Sequence, residues 1–246
     1  MTLKEKWNQK PEVIPREGYV AFPMVCSRLK AEVIGSIGGP IAAVFFALAL
    51  FRIPLSMIKG CMIDLFNMTV DVGEVFIRTR TSLQQRSYHP ASNASLFSLF
   101  IASAAAALLI LATVLYIQLV IHEWLHAIGW TIGTKTKAKE CDVRINKACC
   151  HCSEDMSVGR SIFGTMLPAI ILGIIPVIIS MIVVSPILLI LGILGIIEAG
   201  MDILHSIQLM KYLRYKGAVC TDDPEFIGGI VYVPENEIAK EVEISD

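Results

Sequence analysis

From residue 96 to residue 121 the chain carries no charged side chain, and the run then passes straight into His122-Glu-Trp-Leu-His126. A bilayer core of ~30 Å needs about 20 apolar residues in helical form, so a stretch of this length reads as a membrane crossing. Two other regions have the same character, residues 33–51 and 161–210. The last is too long for one crossing, and Ser185-Pro186 is its natural break, since proline cannot continue a helix. Four membrane helices are therefore expected. Hydrophobic residues make up 54% of the 246, charged residues 17%, and mean hydropathy is +0.64, which together suit a bilayer rather than water. A net charge of −1 leaves no basic footprint for nucleic acid. The N-terminal MTLKEKWNQKPEV is polar where a secretory leader would be apolar, so no leader is expected.

Between the first two runs, Gly60, Asp64, Asn67, Asp71, Glu74 and Arg78 recur at alternating steps of four and three. That spacing predicts an amphipathic helix over 54–78, lying on the membrane surface or against the bundle. Were it to span, there would be five crossings. The first run is glycine-rich at 35–40, which favours close helix contact. Basic residues concentrate in 1–32, 131–160 and 211–246, which hold 16 of the 21. Four crossings place those segments on one side, expected to be the cytoplasm. Asn67-Met-Thr and Asn93-Ala-Ser match the glycosylation triplet, a weak signal.

The seven cysteines do not suggest a disulfide framework: the number is odd, Cys26 and Cys61 stand alone, and four cluster in 141–152. Cys149 and Cys152 form a CxxC, which raises the question of a second metal. The segment KECDVRINKACCHCSEDM instead alternates like two short strands joined near Asn146-Lys147. In a strand Cys149 and Cys152 face opposite ways, so a reduced, partly buried hairpin is expected. It could offer an edge strand to an extended polypeptide.

HEWLH carries the chemistry. On a helix, His122 and His126 share a face and can give their imidazole nitrogens to one Zn²⁺. Glu123 would stand beside the open coordination position and take a proton from water there. At this chain's own His and Glu frequencies the pattern arises by chance in about one such sequence in two hundred. No Lys or Arg lies within eight residues of it, which weakens a reading in which the histidines merely cap or pair.

A third ligand must come from elsewhere, and Glu198, Asp202 and His205 on the last apolar run are the candidates. Acids in hydrocarbon are costly and face a partner, a cavity or a metal. His126 precedes Lys135 by nine residues, and Asp202 precedes Lys211 by nine, so each lies ~14 Å below the same membrane face at 1.5 Å per residue. His122 and Glu198 match in the same way, each thirteen residues from those lysines. Counting alone leaves Asp202, Glu198 and His205 open.

HEWLHAIGW, the hairpin with ACCHCSEDM, the proline of GTMLPAIILGIIP and AGMDILHSIQLMKYLRYKGAVCTDDPEFIGGIVYV together resemble the putative zincin peptidase family of small membrane proteins, long filed as a domain of unknown function and distantly similar to site-2 protease. The resemblance runs over roughly 95–234. It implies His122 and His126 as zinc ligands, Glu123 as base, and Asp202 as third ligand at the family's Gly-Asp, where Met201 replaces the glycine. It divides the chain into 1–94, with the first membrane helix and the amphipathic helix, a core at 95–234, and an acidic tail at 235–246.

The expected protein is thus an all-α membrane protein of about four membrane helices with an amphipathic helix and a short cytoplasmic β-hairpin. It would be a zinc metallopeptidase, its partners the lipid bilayer and a membrane-anchored or membrane-adjacent polypeptide. The rival reading is a non-catalytic metal-binding or ion-transport protein. No charge lies in the first and third expected crossings, 33–51 and 161–184, and no internal repeat is present, which speaks against transport.

Overall fold

The computed structural model describes residues 13–25, 36–84, 94–135, 137–147, 149–152, 154–222 and 228–245. Cys26, Asn93 and residues 1–12 lie outside them. In chain order the elements are strand β1 (Tyr19–Pro23), helices α1 (Gly38–Ala49), α2 (Leu55–Gln84) and α3 (Ala94–Thr131), strands β2 (Asp142–Arg144), β3 (Cys149–His151) and β4 (Met156–Ser157), helices α4 (Val158–Val183), α5 (Pro186–Glu198) and α6 (Gly200–Met210), strands β5 (Val219–Asp222) and β6 (Gly229–Pro234), and helix α7 (Glu235–Ser245).

Among the described residues two helical stretches are long and apolar enough to cross a bilayer, Ile101–Thr131 of α3 and the whole of α4; α5 with α6 makes a third if that bent pair is one span. Helix α1 has the composition but only 12 residues. The lipid-type surface is plain on α3, where Leu108, Leu109, Leu111, Tyr116 and Ile117 are all exposed. Helix α2 forms where the alternating steps of four and three predict it, extends further to Gln84, and packs along α3.

The break expected at Ser185-Pro186 is present. Val184 takes a left-handed φ of 54°, the Ser185 side chain caps the next helix, and Pro186 starts it. Two further features were not anticipated. Residues 169–174 of α4 form a π turn between Pro168 and Pro176. Pro176 lacks the N–H that the Leu172 carbonyl would accept in an α-helix, and widening the turn separates its ring from that carbonyl. The last run also bends by 54° between α5 and α6 at Ala199, so Asp202 falls in the first turn of a new helix.

The chain is mostly helical, but the all-α expectation misses a sheet. Strands β1, β6, β5 and β4 form one antiparallel sheet in that order, with Val20 opposite Val233 and Cys220 opposite Val231. Its core contains Val158, Leu209, Tyr212, Cys220, Val231 and Val233, all buried. Arg16, ahead of β1, donates to Asp155 at 2.9 Å and stacks over Tyr232 at 4.0 Å, fastening that strand to the rest. The predicted hairpin is a separate pair, β2 with β3, turned at Ile145–Lys147. A second core lies in the helices, where α5 packs on α1 and α4 around Ala42, Ile53, Val177, Leu189 and Ile196. The glycine-rich start of α1 serves that contact: a Cβ on Gly38 would sit 2.5 Å from the Ile197 carbonyl oxygen.

Candidate metal centre

His122 and His126 lie one turn apart on α3, both buried, because the apolar residues around them hold that face against α4. Their Nε2 atoms are 3.1 Å apart. Asp202 reaches them from the first turn of α6, with Oδ2 at 3.0 Å from His122 Nε2 and Oδ1 at 3.4 Å from His126 Nε2. Among the described residues this is the one group of three or more His, Cys, Asp or Glu side chains whose ligand atoms converge, all within 4.8 Å of one another. Equal depth, counted from the two lysines, had paired Asp202 with His126; the bend at Ala199 brings it within reach of both histidines.

Hydrogen bonding fixes what these nitrogens can do. His126 Nδ1 lies 3.0 Å from the Gly164 carbonyl oxygen, which can only accept. Nδ1 therefore carries the proton, and a neutral His126 points a bare Nε2 lone pair at His122. Two imidazole nitrogens and a carboxylate facing one another at such distances could hold a cation between them. The donor set suits zinc: bonds of 2.0–2.1 Å in a tetrahedron put ligand atoms ~3.3 Å apart, close to the separations here. His122 Nδ1 and Glu198 Oε2 are both buried without a hydrogen-bond partner. A ring N–H and a carboxylate oxygen are complementary, and the two residues interact electrostatically.

The surroundings explain the precision. Trp130, one further turn along α3, stacks on His126 with ring centroids 5.3 Å apart and planes 15° from parallel. Its Nε1 donates to the Ser161 carbonyl oxygen at 3.3 Å. The crossing of α3 and α4 is close enough that a Cβ on Gly164 would fall 2.0 Å from the Trp130 ring, so only glycine lets the Gly164 carbonyl reach His126. Gln118, one turn before His122, is also buried and donates through Nε2 to the Leu191 carbonyl oxygen at 2.9 Å. Glu123 is buried beside the histidines and within electrostatic reach of His126. His205 is not part of the converging group.

Sequence reasoning named His122, Glu123, His126 and Asp202 and missed Gly164, Trp130 and Gln118. Trp130 and Gln118 were legible, since each stands four residues from a motif histidine. Gly164 was not, because its contribution is a backbone oxygen from another helix.

The cysteines lie next door. Cys141, Cys150, Cys152 and Met156 pack against Ala127 and Trp130, on the flank of the motif helix. Among the described residues no cysteine forms a disulfide, and none joins the convergent group of His122, His126 and Asp202. Burial pushes the Cys141 thiol up to about 12, with Cys152 and nearby carboxylates adding to it, and moves Cys150 up as well. Such thiols stay protonated and unreactive.

In a mostly helical fold, two histidines of HExxH and an acid from a later helix make a donor set that could hold a zinc ion. Residues 115–215 match the model of the family described as putative zincin peptidase. The matched segment contains all four motif residues and is narrower than the 95–234 over which the sequence resembles that family. No curated protein and no solved structure matches the chain.

Proposed function

We propose that this protein is a membrane-embedded zinc metallopeptidase that cuts membrane-anchored or membrane-adjacent polypeptides. The observation that carries the reading is the convergence of His122 Nε2, His126 Nε2 and Asp202 on one point, the three protein ligands of a catalytic zinc site. Zinc held there would supply Lewis acidity, polarising the scissile carbonyl and lowering the pKa of water toward ~7. The protein's own residues do the rest. His126 is held in its ligand tautomer by the Gly164 carbonyl, and Trp130 fixes its ring plane. Glu123 accepts the proton from the attacking water and returns it to the leaving amine nitrogen. Apolar walls around the motif exclude bulk water and strengthen these interactions. The hairpin β2–β3, packed beside α3, is placed to offer an edge to an extended chain. The exposed apolar surfaces of α3 and α4 support embedding; we take the chain as multi-pass with both termini cytoplasmic, on the distribution of its basic residues.

The test compares zinc content and peptide cleavage in purified wild type and Glu123→Gln. About one zinc per chain in both, with turnover lost by at least ~10²-fold in the variant, is expected, since the amide keeps shape but cannot take the proton. Absence of zinc from the wild type would overturn the reading. Loss of zinc in Glu123→Gln alone would make Glu123 a ligand rather than the base.

A further inference from the structure

One helical turn from His122, α3 faces the π turn and α5 across a cavity of about 310 Å³ lined by Val114, Ile117, Leu172, Pro176, Leu188 and Leu191, with Gln118 among them. Six of the seven lining side chains are apolar. Gln118 is the exception, and only 7% of it is exposed. Its amide orientation is settled, because the Leu191 carbonyl can accept only from Nε2. That leaves Oε1 as a buried acceptor with no partner. Such an orphan is destabilising, and is tolerated where a ligand supplies the missing donor.

The chemistry of the walls narrows the occupant. A water there would need two to four polar partners and finds one. A lipid tail fits the apolar surface but has no donor for Oε1. A residue inside an intact helix has already given its N–H to its own carbonyl ladder. An extended residue with a bulky apolar side chain offers both an N–H for Gln118 and apolar surface for the rest. The volume is at the low end of the ~300–1,000 Å³ typical of ligand sites, which suits a side chain and its backbone rather than a whole helix.

We infer that this cavity is a substrate subsite, taking one bulky apolar side chain of an unwound polypeptide whose backbone N–H is received by Gln118 Oε1. Its register relative to the cut rests on the peptidase reading. Gln118 precedes His122 by four residues, ~6 Å along the helix, and an extended chain advances ~3.3 Å per residue. The subsite therefore holds a residue about two positions from the cleaved bond. The π turn is part of the device, since it brings Leu172 and Pro176 to the wall opposite α3.

The experiment reads binding rather than turnover. The full chain carrying Glu123→Gln is reconstituted in lipid nanodiscs and photolysed with a short apolar synthetic peptide bearing a diazirine leucine. A phospholipid with a diazirine in its acyl chain is the second probe. The peptide is expected to label 114–118 and 172–191. N-methylation of the diazirine residue is expected to lower labelling about tenfold when Gln118 is present, and less than about twofold when Gln118→Leu is added. Leu188→Trp, which fills the cavity and leaves Gln118 in place, is expected to cut peptide labelling about tenfold, the size of a lost buried contact. Labelling of these segments by the lipid alone would overturn the subsite, as would an equal N-methylation penalty with and without Gln118. Peptide labelling here by a chain whose wild type cleaves nothing would support the subsite while sinking the peptidase reading. Cleavage by a wild type whose peptide labels only other segments would do the reverse.

Discussion

At the scale of single residues, α3 carries a ladder of polar and aromatic side chains one turn apart: Gln118, His122, His126 and Trp130. Helical geometry alone puts them on one face. The spacing of HEWLH was therefore enough to put two candidate ligands on one face with a candidate base beside them, and counting residues to Lys135 and Lys211 was enough to suggest Asp202, because helical rise is fixed. Counting could not separate Asp202 from Glu198; the distances of 3.0 and 3.4 Å to the two histidines do so geometrically. Asp202→Ala is accordingly expected to lose zinc as completely as His126→Ala. Glu198→Ala is expected to keep it with affinity lowered about 10- to 100-fold, as when an outer partner of a ligand histidine is removed. Metal titration of the three variants decides the matter. Should Glu198→Ala strip the metal while Asp202→Ala retains it, the assignment is inverted. Gly164→Ala belongs to the same scale. Its methyl collides with Trp130, costing about 1–3 kcal/mol of overpacking and pulling the Gly164 carbonyl from His126. Lower thermal stability together with weaker zinc binding is the expected pair of effects. Unchanged zinc affinity would remove Gly164 from its positioning role.

At the scale of elements, the readings that succeeded rest on local rules and those that failed on distant ones. The hairpin at 142–151 was visible because its alternation and turn are contiguous in sequence. The break before Pro186 was visible for the same reason. Strand β6, GIVYVP, is buried along nearly its whole length, and a short apolar run of that kind does not declare itself strand or helix until its neighbours are known. Those neighbours are β5, close in sequence, and β1, which is more than two hundred residues away. The bend at Ala199 had no proline to announce it. Asp222 joins the hairpin to the sheet: its Oδ2 lies 2.8 Å from His151 Nδ1 and accepts from the Cys152 backbone N–H at 3.3 Å. The bond to Asp222 raises the pKa of His151 above its ordinary 6.5, against the opposing effect of burial. Because the folded value is the higher one, this pair's stabilisation is fully present below about pH 6.5 and fades as pH rises through the folded value. Hydrogen exchange of the Cys149–His151 amides, corrected for intrinsic rates, is expected to speed up between pH 6 and pH 8, and His151→Gln should abolish that difference. An identical pH response in the variant would show that another group controls the hairpin.

At the scale of the whole molecule, the sheet constrains how the chain can lie in a membrane. Its four strands come from three parts of the sequence: β1 near the N-terminus, β4 after the hairpin, and β5 with β6 beyond the last helix. A sheet with exposed edges does not sit in hydrocarbon, so these segments share one side of any bilayer the helices cross. An even number of crossings must then separate β1 from β4, and likewise β4 from β5. Helix α4 followed by the bent pair α5–α6 satisfies the second condition. For the first, α3 needs one partner crossing, which the apolar run at 33–51 that contains the 12-residue α1 is expected to supply, whereas adding α2 as a third would place β1 and β4 on opposite sides. The same parity follows from the basic residues, 16 of 21 of which fall in the segments that the sheet gathers. Single cysteines introduced in place of Glu17, Lys139 and Glu235, on a background from which the native cysteines have been removed, are expected to react with a membrane-impermeant maleimide from the same face of sealed vesicles. Reaction of Glu17→Cys from the opposite face would make α2 a crossing and unpair β1 from β6. Opposite reactivity of Lys139→Cys and Glu235→Cys would be more damaging, because α3 and α6 could then no longer bring His126 and Asp202 to one depth.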